Sequence, residues 1–166
     1  PDKLQYMSTD DDLRRAVDSQ QIIPLRARLR PNQQPYRRIY ITPMVAEWIR
    51  TVLVRAETDN FMPDSARPVE QFDTMTRRFC AGEDLDTPIP HLMNPTDEGI
   101  WRFKSADIRA VGWAPVRGVL IVSEMDLKIN CTNLRDNQMM LNAVLHRRKL
   151  NISSGHYLIG GFNDCF

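Results

Sequence analysis

Hydrophobic residues recur at helical spacing in two stretches of the first half of the chain. In the first stretch, Thr42 can cap a helix, and Pro43 fits the first helical position, where its missing N–H costs nothing. The apolar face that follows consists of Val45, Trp48, Ile49, Val52 and Leu53. The second face consists of Val69, Phe72, Met75 and Phe79, and Gly82 is well placed to end that helix. The pattern predicts a strand over 37–41, then two helices joined by "NFMPDSARP".

Alternating apolar and polar positions predict three strands after these helices, at Gly99–Lys104, Ile108–Trp113 and Gly118–Glu124. The third strand is a continuous apolar run, typical of burial on both faces. In the first strand, Arg102 and Lys104 share one face. Arg109 lies in the second strand, and the alternation does not decide whether it meets them, because that depends on the hairpin register.

The ends of the chain carry weaker patterns. The segment "DDDLRRAVDSQQ" predicts a short helix, and residues 1–6 before "MSTDDD" are interpreted as a tag remnant. Leu25, Ala27 and Leu29 alternate with Arg26, Arg28 and Arg30, which predicts a strand with three arginines on one face. A last helix is predicted with Asn133 as its N-cap and with the apolar stripe Leu134, Leu141, Val144 and Leu145.

Together these elements predict an α+β fold. Two N-terminal helices would pack on a small antiparallel sheet of three to five strands, with a further helix at the C-terminus. We expect an N-terminal extension over 1–35, containing the short helix and the Arg-rich strand, and a single domain over 36–166. The length of 166 residues suits one hydrophobic core.

The net charge of +1 conceals an uneven distribution along the chain. Residues 1–56 carry a net charge of +4, residues 57–100 carry −7, and residues 101–166 carry +4. The near-zero total argues against strong non-specific binding to nucleic acid. The three cysteines lie far apart, and neither they nor the three histidines have metal-ligand spacing. We therefore expect reduced thiols, a cytoplasmic protein, no metal, no cofactor and no membrane segment.

Three segments resemble the RelE/ParE/HigB toxin superfamily over roughly residues 40–130. The segment "YRRIYITPMVAEWI" looks like the opening strand and first helix of those toxins, and "VEQFDTMTRRFCAGED" resembles their second helix. The segment "GIWRFKSADIRAVGWAPVRGVLIVSEMDLK" is similar to their three-stranded core with a trailing lysine.

The resemblance implies an mRNA endoribonuclease of a toxin–antitoxin or phage-type system. It implies that Arg102, Lys104 and Arg109 stabilise phosphate charge during attack by the ribose 2′-OH, and that Lys128 binds RNA. We add Arg147 and Arg148, from the basic end of the last helix, as nucleic-acid-binding residues. The implied partners are a cognate antitoxin and RNA or the ribosome.

Several alternatives remain open at this point. No motif places a general acid or base, for which His91, His146, His156 and Tyr157 are candidates. The chain is alternatively a non-catalytic inhibitor that blocks a host protein, such as a replication or topoisomerase component, as some members of the superfamily do. A third interpretation is a plain interaction domain, in which "QQIIPLRARL" pairs with the strand edge of a partner.

Overall fold

The computed structural model describes residues 3–58, 65–85 and 90–166. Five α-helices occur in this part of the chain: α1 (Lys3–Asp18), α2 (Pro43–Thr51), α3 (Pro68–Cys80), α4 (Asn133–Leu150) and α5 (Phe162–Cys165). Six strands accompany them: β1 (Ile23–Leu25), β2 (Arg38–Ile41), β3 (Pro90–Leu92), β4 (Ile100–Lys104), β5 (Ile108–Trp113) and β6 (Val119–Leu127). Parts of the predicted linker "NFMPDSARP" and of the proline-rich loop before β4 lie outside the described residues.

The two predicted helices of the first half form where the pattern places them. Thr42 caps α2 by accepting a hydrogen bond from the backbone N–H of Val45, and Pro43 opens the helix. Gly82 lies just beyond α3 with a φ of +76°, a conformation that costs glycine little. β2 therefore runs into α2 with a single residue, Thr42, between them.

The strands form one mixed sheet in the order β1-β2-β6-β5-β4-β3. β2 and β6 are parallel, whereas the other neighbouring pairs are antiparallel. The prediction of an α+β fold is thus confirmed, while the purely antiparallel sheet of three to five strands is wrong. The parallel pair is possible because α2, α3 and the β4–β5 hairpin supply the long connection it needs. β1 and β3 have three residues each, too few to produce a clear alternation.

A β-bulge between Val111 and Gly112 determines which side chains of β6 share a face with the cations of β4. Gly112 suits this position, since a Cβ there would collide with the carbonyl group of Ile121. On the far side of the bulge, Val111 stands opposite Glu124. The carboxylates of β6 are thereby turned toward α4.

Each face of the sheet carries its own hydrophobic core. α2, α3 and the C-terminal residues cover one face, with a core that includes Val45, Phe72, Phe79, Phe103, Cys165 and Phe166. α1 and α4 cover the other face, with a core that includes Leu13, Ala16, Trp113, Ile121, Met139 and Ala143. Helices therefore cover both faces of the sheet, and α4 follows the sheet in the chain, where a C-terminal helix was predicted. The predicted double burial of the third strand is confirmed by β6, which is buried from Val119 to Asp126.

The apolar stripe predicted for the last helix is wrong in three of its four members. Leu134, Leu141 and Leu145 are 81%, 52% and 62% exposed, and only Val144 is buried. The buried side of α4 is formed by Met139, Met140, Ala143, Val144 and Arg147. The helix is also capped by Thr132, whose side chain accepts from Arg135 N, rather than by Asn133. Because leucines occupy the outer face and methionines the inner one, hydropathy alone selects the wrong side.

The predicted Arg-rich strand is shorter than expected. Only Ile23–Leu25 pair with β2, and the chain from Arg26 to Arg30 lies beyond the end of β1. Ala27 and Leu29 nevertheless pack against the core, and the arginines between them are exposed. Exposed and partly buried residues therefore alternate as predicted, although most of them lie in an irregular segment outside the sheet.

Among the helices that the structure describes, none combines the length and the apolar character required to cross a bilayer.

Candidate nucleic-acid interface

The register of the β4–β5 hairpin places the three predicted catalytic cations on one face of the sheet. Lys104 stands directly opposite Arg109, and Arg102 stands opposite Val111. Directly opposed residues of neighbouring strands point to the same side, so Arg102, Lys104 and Arg109 share a face. The sequence leaves this arrangement open, because it depends on the three-residue turn after Lys104. In that turn, the Ser105 side chain accepts a hydrogen bond from the backbone N–H of Ile108.

His91 adds an imidazole to this face. It stands opposite Arg102 in the β3–β4 pair, and Arg102 Nε donates a hydrogen bond to His91 Nε2 across 3.0 Å. We call His91, Arg102, Lys104 and Arg109 the cationic cluster. The other acid–base candidates have different environments: His146 lies 3.7 Å from a carboxylate oxygen of Glu124, and Tyr157 donates to the carbonyl oxygen of Asp97.

The Arg102 guanidinium is fixed by a second contact. Its Nη1 forms an ion pair with Oδ2 of Asp136, which lies in the first turn of α4. The two side chains are only 17% and 20% exposed, so this pair is far less screened by water than a surface ion pair. The second carboxylate oxygen of Asp136 is buried and has no hydrogen-bond partner among the described residues. Asp136 therefore neutralises the cation that the sequence marks as a phosphate ligand.

Lys104 and Arg109 are less strongly paired. Arg109 Nη1 donates to the carbonyl oxygens of Ser105 and Ile108, each at 2.8 Å, which orients the guanidinium without neutralising its charge. Burial lowers the pKa of Lys104, and the neighbouring charges of Arg102 and Arg109 lower it further. Burial likewise lowers the pKa of Arg109. Burial is the main cause of both shifts, and the charge of Arg102 lowers each pKa further.

Two carboxylates of β6 belong to the same face. Asp126 stands opposite Arg109, but its oxygens bond instead to Arg135 Nε and Asn130 Nδ2, each at 2.8 Å. Glu124 is buried between β6 and α4, and burial raises the pKa of its carboxyl group. The face is therefore mixed in charge, with its cations toward β4 and its carboxylates toward β6.

The three predicted nucleic-acid-binding residues have different surroundings. Lys128 is exposed in the turn just after β6. Arg148 is 67% exposed and lies 3.6 Å from Glu98. Arg147, by contrast, is buried, forms an ion pair with Glu98 and lies over the ring of Tyr157 at 3.5 Å. Arg147 is therefore an internal residue, and its contacts join α4 to the turn before β4.

Sequence reasoning missed the acidic partners of these cations. Asp136 was recognisable only as a first-turn residue of a helix, a position that favours carboxylates for local reasons. Glu98 lies in a 3-10 turn that no pattern marks. Both pairs join residues far apart in the chain, at separations of 34 and 49 positions, so local spacing carries no signal for them.

Within the described parts of the chain, no group of three or more His, Cys, Asp or Glu side chains is arranged to hold a metal ion. No protein-family profile matches the sequence, and no curated protein or solved structure matches it either. The function therefore has to be argued from the residues themselves.

Proposed function

We propose that the chain is a toxin of the RelE/ParE/HigB kind that cuts mRNA in the cytoplasm, free or on the ribosome. The observation that supports this most is the shared face of Arg102, Lys104 and Arg109, with His91 hydrogen-bonded to Arg102. Three cations and an imidazole on one face are the groups that phosphodiester cleavage requires.

The proposed reaction needs no cofactor. The ribose 2′-oxygen attacks the phosphorus and loses its proton to a base, the P–O5′ bond breaks, and the 5′-oxygen takes up a proton. The products are a 2′,3′-cyclic phosphate and a 5′-hydroxyl end. Charge builds on the phosphate oxygens in between, where Lys104 and Arg109 would stabilise it. His91 is the candidate base, because Arg102 holds its imidazole beside the other cations. Its Nε2 accepts from Arg102 in the free protein, so it takes the 2′-OH proton only after Arg102 has turned from it to the phosphate.

RNA binding must first loosen one contact. Arg102 reaches a phosphate only if the phosphate replaces the carboxylate of Asp136, since both are anionic ligands of one guanidinium. The exchange keeps the charge of Arg102 paired throughout. We therefore propose Lys104 and Arg109 as the first phosphate ligands and Arg102 as the residue that engages later. Lys128 and Arg148, both exposed, would guide the strand, whereas Arg147 remains in its internal pair.

The test is transcript mapping after induced expression in a bacterial host. The proposal predicts new 5′-hydroxyl ends with the wild-type chain and their loss in Arg109→Ala and His91→Ala. Arg50→Ala is the matched control, because Arg50 is an exposed arginine on α2 whose ion-pair partner among the described residues is Glu47. Intact transcripts in growth-arrested cells would contradict the proposed nuclease activity. A cognate antitoxin, the proposed partner, is expected to suppress both the arrest and the RNA ends.

A second function is favoured by a different observation, the exposed leucines of α4. Leu134, Leu141 and Leu145 line the outer face of the helix, which ends in the exposed cations Arg148 and Lys149. An apolar line of this kind is typical of protein contact surfaces. We propose as the alternative that this face binds and blocks a host protein, such as a replication component, through an apolar patch bordered by carboxylates that match the two cations.

The two functions separate in one growth assay. If the host-protein function holds, Leu141→Gln with Leu145→Gln abolishes growth arrest, whereas Arg109→Ala leaves it intact. If the nuclease holds, the result is the reverse. Because the leucines are exposed, the double variant is expected to fold normally, and circular dichroism checks that it does.

A further inference from the structure

The exposed side of residues 26–36 is a line of cations that ends in an aromatic ring. Arg26, Arg28 and Arg30 are exposed, whereas Ala27 and Leu29 between them are partly buried, so the three arginines lie on the solvent side of the segment. Ala27 and Leu29 between them pack against the core and hold the segment in place. The arginines are therefore presented to solvent by an anchored backbone rather than by a loose loop.

Edge protection does not explain these arginines. Charged side chains on an edge strand keep other strands from pairing with it. The paired part of this edge ends at Leu25, before the first of the three arginines. The carboxylate nearest to them among the described residues is Asp73, whose Oδ1 lies 4.0 Å from Arg28 Nε, with the two side chains 46% and 87% exposed. A pair that exposed contributes little.

Tyr36 extends the line. It is 74% exposed, and it rests on Gly82, where a Cβ would lie 2.8 Å from a ring carbon. Its backbone N–H is fixed by the carbonyl oxygen of Cys80 at 2.7 Å. The segment runs along α3, since Arg28 lies at Asp73 and Tyr36 at Gly82. From Asp73 to Cys80, where α3 ends, the helix rises about 10 Å, and Gly82 lies two residues further on.

We propose that this surface, Arg26, Arg28, Arg30 and Tyr36, binds single-stranded RNA, with the arginines on phosphates and the tyrosine stacked on a base. Alternating cations and an exposed ring are the two elements by which proteins hold single strands without sequence preference. An acidic peptide would use the arginines but not the ring. The surface lies on the α3 side of the sheet, and the cationic cluster lies on the α4 side. The inference rests on the proposed function for its choice of RNA, and it adds a second contact.

The experiment measures binding without cleavage. Fluorescein-labelled 2′-O-methyl oligo(U) of 12 nucleotides has no 2′-OH to attack, so fluorescence anisotropy reports affinity alone. The triple variant Arg26→Gln, Arg28→Gln, Arg30→Gln should bind about ten- to a hundredfold more weakly at 50 mM salt. Its plot of log affinity against log salt should be shallower by about 2, at about 0.7 per lost phosphate contact. Tyr36→Leu should lose about fivefold or more.

A matched variant, Arg14→Gln, Arg15→Gln, Arg50→Gln, removes the same charge from side chains that are 74%, 74% and 72% exposed. Equal loss in the two triple variants would overturn the inference, and so would competition by oligo-glutamate with no effect of Tyr36→Leu. A different result would contradict the proposed nuclease function without contradicting this inference. If Arg109→Ala leaves cellular RNA ends unchanged while the triple variant binds oligo(U) more weakly, the proposed nuclease function is wrong and the RNA-binding surface is supported.

Discussion

Arg102 donates its Nε–H to Nε2 of His91, 3.0 Å away across the β3–β4 pair. With Nε2 as the acceptor, a neutral His91 carries its proton on Nδ1. The contact therefore fixes both the tautomer and the orientation of the imidazole beside the cations. Arg102 is therefore a positioning residue as well as a cation, because it orients the imidazole of His91.

The first prediction separates these two roles of Arg102. Arg102→Ala should slow cleavage of an oligoribonucleotide about ten- to a thousandfold, the usual effect of losing one charge-stabilising donor. Arg102→Lys should recover only part of the rate. An ammonium group is a point charge and cannot bind His91 and Asp136 with two separate edges, as the guanidinium does. Single-turnover rates measure this, and full recovery by lysine would show that charge alone matters.

The second prediction concerns the ion pair of Arg102 with Asp136. Asp136→Asn removes the competing carboxylate, so the affinity for 2′-O-methyl oligo(U) should rise about fivefold to tenfold, worth about 1 kcal/mol. The free energy of unfolding should fall by about 1–2 kcal/mol, because a largely enclosed guanidinium loses its counter-charge. Anisotropy and urea titration measure the two effects. Unchanged RNA affinity would mean that Asp136 does not compete with phosphate for Arg102.

How much of this site the sequence could predict is clearest from Arg102 and Arg109. Alternation placed each on a face of its own strand, but the meeting of the two faces depended on a three-residue turn. The carboxylate of Asp136 arrives from a helix 34 residues later, and no local pattern encodes that distance. The segments with strong local signals, Thr42-Pro43 and the apolar run of β6, were predicted correctly because neighbouring residues determine them. The site was not, because its contacts join residues far apart in the chain.

The error on α4 has a related cause. Its leucines lie on one side of the helix and its methionines on the other, so both sides are apolar and periodicity does not select the buried one. Tertiary packing decides instead, with Met139 and Ala143 fully enclosed against β5 and β6 while Leu134 and Leu141 face outward. Methionine suits such an interface because its unbranched side chain fills irregular space.

The third prediction tests this assignment of faces. Leu134→Gln and Leu145→Gln should each change the free energy of unfolding by no more than about 0.5 kcal/mol. Met139→Ala on the opposite side should cost about 2–4 kcal/mol, because Met139 is fully buried. Urea denaturation of the three variants decides the matter. A cost above about 1.5 kcal/mol for either leucine would place it in a core contact rather than on the outer surface.

The fourth prediction concerns the buried pair of Arg147 and Glu98. Glu98→Gln leaves the Arg147 guanidinium enclosed without its counter-charge, since that side chain is only 5% exposed. The loss should be about 3 kcal/mol, which lowers the melting temperature by about 6–12 °C in a domain of this size. Glu47→Gln, which breaks the exposed pair with Arg50, is the control and should leave the melting temperature nearly unchanged. Equal melting temperatures for the two variants would contradict an internal role for Arg147.

The last prediction concerns Glu124 of β6 and His146 of α4, which lie 3.7 Å apart, with Arg135 and Asp126 nearby. Burial raises the pKa of Glu124, so its contribution to stability is present below the ordinary value of 4.5 and is lost as pH rises through the folded value. Burial lowers the pKa of His146, so its contribution is present above the ordinary value of 6.5 and is lost as pH falls. Glu124→Gln should therefore gain stability relative to wild type between pH 4 and pH 7. His146→Gln should instead lessen the loss of stability that wild type shows below pH 6.5.

Urea midpoints across pH 4–8 measure both differences. A Glu124→Gln difference that does not change with pH would mean that the carboxyl group titrates normally and that water reaches it at the end of α4.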